Sequence, residues 1–117
     1  MNSINLKALE PYQKRMGRAF VIDMIRTYLK NSPALLETIH KKFSEQNLEE
    51  FARAAHNLKS NSATMGAEQL AALCEILEQA GLAGCVGHIR PEIETLEQEY
   101  QQVCNQLAQL LANFPND

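Results

Sequence analysis

The chain has 117 residues, 45% of them hydrophobic, with 11 basic against 14 acidic side chains and a formal net charge of −3, which suits one domain over residues 1–117 with a modest core of its own. Near-balanced charge leaves no broad cationic face for nucleic acid or an anionic membrane, and no apolar run reads as a signal peptide or spans a bilayer, so a cytoplasmic location without membrane contact is expected. Cys74, Cys85 and Cys104 are odd in number and lack C-x-x-C spacing, implying neither a disulfide framework nor a zinc site and suiting a reducing compartment.

Helical periodicity recurs from end to end, whereas alternating β-branched runs and Asn-Gly hairpin turns do not occur. The pattern predicts an all-α protein. Residues 1–17, interrupted by Pro11, form a poorly defined opening segment. Phe20, Met24, Ile25, Tyr28 and Leu29 then mark one face of a helix expected to stop near Asn31. Ser32 followed by Pro33 reads as an N-cap with proline at the first helical position, opening a helix over about 32–46 with Leu35, Leu36, Ile39 and Phe43 as its stripe.

Asn47 with Glu50 three residues later has the form of a capping box and starts a helix over about 47–65, with Leu48, Phe51, Ala55, Leu58, Ser62 and Met65 on one face. Gly66 ends it, and Leu70, Leu73, Cys74 and Leu77 begin the next helix over about 67–80. The string "GLAGCVG" at 81–87 is expected to be a turn. A last helix over about 88–113 holds Pro91 in its first turn. Its apolar positions Ile89, Ile93, Leu96, Tyr100, Val103, Leu107, Leu110 and Phe114 alternate spacings of four and three, a bundle seam. Short connections favour antiparallel neighbours, so the last four helices are expected to form an up-down four-helix bundle with the N-terminal helical segment packing across it. The seam is assigned to internal packing, and the protein to a monomer.

On a helical wheel the stripe of the 47–65 helix is centred roughly 130° from His56, which therefore looks outward. Its neighbours three, four and seven residues away are Ala52, Arg53, Lys59, Ser60 and Ala63, small apart from two cations. The imidazole stands on a low surface that another protein can approach closely. Lys59 reaches the same space, and its ammonium suits a phosphate or other oxyanion. As a like charge it disfavours an imidazolium and so favours a neutral, nucleophilic ring near pH 7. His40, beside Lys41 and Lys42, and His88, after a glycine-containing turn, read as surface residues, and no i, i+4 pairing among histidines and cysteines suggests a metal site.

The string "HNLKSNSATMGA" resembles the signature of the histidine-containing phosphotransfer (HPt) domain of multistep two-component signalling: histidine, then leucine and lysine, small residues and a later glycine. Here these are His56, Leu58, Lys59, Ser60, Ser62, Gly66 and Ala67. Helix order and apolar spacing extend the resemblance from about residue 18 to residue 110. It implies a four-helix bundle whose exposed histidine accepts a phosphoryl group from a receiver-domain phospho-aspartate and passes it to another receiver's aspartate, as a phosphocarrier and not an enzyme. His56 would be the phosphorylated residue and Lys59 the phosphate-neighbouring cation, with Leu58, Ser62, Gly66 and Ala67 as structural parts of the motif. Ser60 stands where the family often has glycine, and Asn61 departs from a commoner smaller residue. Ala52, Arg53, Ser60 and Ala63 around the histidine are candidates for binding partners, namely receiver domains of response regulators and hybrid histidine kinases. No cofactor of its own is expected, since the receiver would bring the acidic pocket and magnesium. The alternative is a helical docking module that binds a receiver or kinase without being phosphorylated.

Overall fold

A computed structural model describes residues 2–113. A short 3-10 turn at Leu6–Ala8 leads into helix α1 (Glu10–Met16), followed by α2 (Arg18–Ser44), α3 (Leu48–Thr64), α4 (Glu68–Ala83) and α5 (Arg90–Asn113), with no strand among the described residues. Helices α2 to α5 form the four-helix bundle, and one apolar cluster joins them. Phe51, Leu58, Leu70, Leu77, Leu96 and Leu107 are fully buried in it. Each such side chain contributes about 1.5–3 kcal/mol of transfer free energy. Phe114, the last residue of the expected seam, lies outside the described residues.

The break expected at Asn31 is absent. α2 runs unbroken through Pro33, because Val21, Ile25, Tyr28, Ser32 and Ile39 are buried at spacings of four, three, four and seven, one stripe on both sides of the proline. Ser32 is therefore no N-cap: its Oγ lies in the core, hydrogen-bonded to Tyr100 Oη at 2.7 Å. Pro33 itself is exposed, so the carbonyl that loses its partner faces the solvent side of the helix. Phe20 is also off the core; it is partly exposed and stacks on Tyr12, ring centroids 6.3 Å apart.

Two further corrections concern helix ends. Asn47 caps α3 as expected, its side chain accepting from Glu50 N at 3.2 Å, but Glu50 does not return the bond and instead takes Arg53 Nη1 at 2.7 Å. α4 continues past Gly81 to Ala83. Gly81 is a notch inside the helix, since a Cβ there would stand 3.0 Å from the Phe51 ring and 3.1 Å from Ala52 Cβ; its missing side chain lets α4 lie close on α3.

The N-terminal segment closes one end of the bundle. Ile4 and Leu9 are buried, Asn5 N donates to Gly66 O at 2.8 Å, and the backbone amides of Ser3 and Ile4 donate to Gln106 Oε1 at 2.9 and 3.1 Å. Gly66 turns the chain with φ +80°, and a Cβ there would collide with the Asn5 carbonyl.

Candidate functional site

α3 carries the site. Its inner face buries Phe51, Ala54, Ala55, Leu58 and Ser62, with Ser62 Oγ paired to Tyr28 Oη at 2.8 Å so that the hydroxyl is satisfied in the core. This fixes the helix's rotation and sets His56 outward, its side chain 53% exposed. The ring is not free-standing. His56 Nδ1 lies 2.9 Å from Glu78 Oε2 on α4, and a carboxylate accepts only, so in the neutral ring the proton sits on Nδ1 and the lone pair on Nε2. Among the described residues, no donor or acceptor bonds Nε2.

Lys59 is one turn further along α3, and its Nζ donates to Glu78 Oε1 and to Glu75 Oε2, both at 2.6 Å. Glu78, 13% exposed, thus spans the lysine and the histidine with its two oxygens. The hydrogen bond to Glu75, then that to Glu78, pushes the Lys59 ammonium above its ordinary value. The same bond from Lys59 holds the Glu75 carboxyl below the ordinary carboxylate range. The charge nearest the imidazole is consequently negative, contrary to the expectation drawn from Lys59 alone. The Cys74 thiol close by is no rival nucleophile: burial pushes it up to about 12, which keeps it protonated at neutral pH.

The other candidate residues divide. Ser60 and Ala63 are exposed near His56, and Arg53 is exposed but held by Glu49 at 3.5 Å and Glu50 at 2.7 Å. Ala52 is a correction: it is 3% exposed, beneath Gly81 in the α3–α4 contact, and offers a partner nothing. Leu58, Ser62, Gly66 and Ala67 are all buried and shape the helix and its turn. His40 approaches Glu97 at 3.5 Å across the α2–α5 contact, and His88 is exposed in the α4–α5 turn. Among the described residues, no group of three or more His, Cys, Asp or Glu is arranged to hold a metal ion.

Sequence reasoning missed Glu75 and Glu78 because it treated each helix by itself. The signal was present in the hairpin. His56 and Glu78 are each eleven residues from Ala67 in the turn, and Lys59 and Glu75 are each eight. An antiparallel pair folded about that turn brings such mirror positions to the same height.

The family model for the Hpt domain matches residues 23–113, more than half of the chain. The chain belongs to the Hpt domain family. Histidine phosphotransfer in phosphorelays is accordingly its work, with receiver domains and kinases as partners. Two solved structures share the Hpt fold: histidine-containing phosphotransfer protein B (HptB) from Pseudomonas aeruginosa PAO1, TM-score 0.90 at 23% identity, and the HPT domain of an Hpt sensor hybrid histidine kinase from Shewanella, TM-score 0.82 at 21% identity. Each comparison covers 97% of both chains. No curated protein sequence matches this Hpt chain.

Proposed function

We propose that His56 is the phosphoryl-accepting residue and that Nε2 is its reacting atom. The observation that carries this reading is the half-exposed imidazole whose Nδ1 is engaged by Glu78, which leaves the Nε2 lone pair open to a partner. The lone pair attacks the phosphorus of a receiver's aspartyl phosphate; the P–O bond to the aspartate breaks with its electron pair staying on the carboxylate, and an Nε2–P bond forms. The ring keeps its Nδ1 proton, and Glu78 faces the positive charge that then resides there. Attack on the same phosphorus by another receiver's carboxylate reverses the step and returns the lone pair to Nε2.

Phosphoryl transfer needs alignment and charge stabilisation more than covalent machinery, so one nucleophile on an open surface suffices when the partner supplies the remainder. In this reading the receiver brings the magnesium ion, and the protein is a monomeric cytoplasmic carrier with no cofactor or turnover of its own. No described helix is long and apolar enough to cross a membrane. Lys59 is the cation beside the transferred group, and the exposed Arg53, Ser60 and Ala63 form part of the surface that meets the receiver.

Labelled phosphate offered from a phosphorylated receiver domain tests the assignment. Wild-type protein is expected to take acid-labile, alkali-stable label and His56→Gln none, with unchanged helix content in the variant. Label that persists in His56→Gln overturns the assignment, and a wild type that binds an intact phospho-receiver yet takes no label points to a docking module.

A further inference from the structure

The site holds more negative charge than orienting the ring requires. Glu78 alone bonds Nδ1 and reaches Lys59 with its other oxygen. Glu75 does not bond the imidazole, yet both its oxygens are held: Oε2 accepts from Lys59 Nζ at 2.6 Å and Oε1 from Gln79 Nε2 at 3.2 Å. The Gln79 bond, one turn along α4, steadies the carboxylate where it meets the lysine. Two carboxylates therefore share the one ammonium beside the nucleophile, and that ammonium is committed before any phosphoryl group arrives.

The two differ in what releasing Lys59 costs. Glu78 is mostly buried and also orients the ring, so its withdrawal would disturb the nucleophile. Glu75 is 46% exposed and can return to water with little penalty, since an ion pair at such exposure is weak. A phosphoryl group on Nε2 brings up to two negative charges and three acceptor oxygens within reach of the lysine, and competes for it with Glu75 first.

We infer that Glu75 is a positioning residue acting through Lys59: it holds the ammonium against α4 in the unphosphorylated protein and competes with the phosphoryl group for it afterwards, weakening the hold on phosphohistidine and favouring onward transfer. This rests on His56 being the accepting residue. The competition is thermodynamic, so it is read in the phosphoryl group's own protonation. The closer Lys59 comes, the more the dianion is favoured and the lower the pH at which the group titrates.

Phosphoramidate serves as the donor, so that no partner is needed; Nε2 displaces ammonia from phosphorus, the donor's P–N bond breaking with its pair to the departing nitrogen, which takes up a proton from water. The ³¹P resonance of the phosphohistidine is then followed against pH. Glu75→Gln is expected to lower the titration midpoint by about half a pH unit, a roughly threefold change consistent with a half-exposed pair, while Glu75→Asp stays near wild type. In a Lys59→Ala background the same substitution is expected to move the midpoint much less. Coincident midpoints for wild type and Glu75→Gln, or an equal shift without Lys59, overturn the inference while leaving His56 as acceptor. No phosphohistidine signal from the wild type, or one that survives in His56→Gln, removes the underlying assignment and the inference with it.

Discussion

The imidazole of His56 and the ammonium of Lys59 share a carboxylate, Glu78, and the lysine has a second in Glu75. This has a measurable acid limit. Because Lys59 depresses the folded Glu75 carboxyl value, the pair stabilises the fold above the unfolded carboxyl value and loses that contribution as pH falls through the folded one. A ¹³C titration of the Glu75 carboxyl is therefore expected to show a midpoint below the ordinary glutamate value of about 4.3, and a midpoint above it would contradict the pairing. At this scale the sequence was half legible. The outward direction of His56 follows from the wheel, since apolar spacing on α3 fixes which face is dry. The partners of Nδ1 and Nζ do not, since they come from another helix and depend on how that helix is rotated. Ala52 shows the same limit from the other side: a small residue beside the nucleophile suits a flat docking surface and a close helix contact equally, and only the notch at Gly81 decides between them.

At the scale of the element, α2 overrides its own local signals. Ser-Pro after an asparagine is a strong local signal for a helix start, but the buried stripe Val21, Ile25, Tyr28, Ser32, Ile39 passes through it without a change of phase. Burial of that stripe, with the Ser32–Tyr100 and Tyr28–Ser62 hydrogen bonds, outweighs the roughly 3 kcal/mol that an interior proline costs a helix. Pro33→Ala is expected to stabilise the protein by about 1–2 kcal/mol, the restored backbone bond being partly offset by a more flexible unfolded chain. Urea unfolding measures it, and a loss of stability would mean that proline helps define the helix there. The other ends were legible where a single residue carries the cap, as Asn47 does for α3, and illegible where glycine packs instead of turning, as Gly81 does in α4.

For the whole molecule, the all-α character and the bundle followed from periodicity and short connections, which are local properties. The opening segment did not. It is placed by one backbone bond, from Asn5 to Gly66, and by the side chain of Gln106, both distant in sequence and without any repeating pattern. Gly66 is where this strap meets the α3–α4 turn, so Gly66→Ala is expected to cost about 1–3 kcal/mol through its left-handed backbone and to displace Asn5 as well. Denaturation midpoints measure the first effect and amide exchange at Asn5 the second; a variant as stable as wild type would show that the turn can re-form without the strap.

The mirror placement of His56 with Glu78 about Ala67 makes the turn a ruler for the chemistry. A residue added within α4 before Glu75 would turn the rest of that helix by about 100° relative to its start. The helix would then have to give up either the burial of its core side chains or the facing of Glu75 and Glu78 toward α3, because Leu70, Cys74 and Leu77 are fully buried on the same helix. The same turn thus sets the depth of the core and the height of the two carboxylates beside the nucleophile.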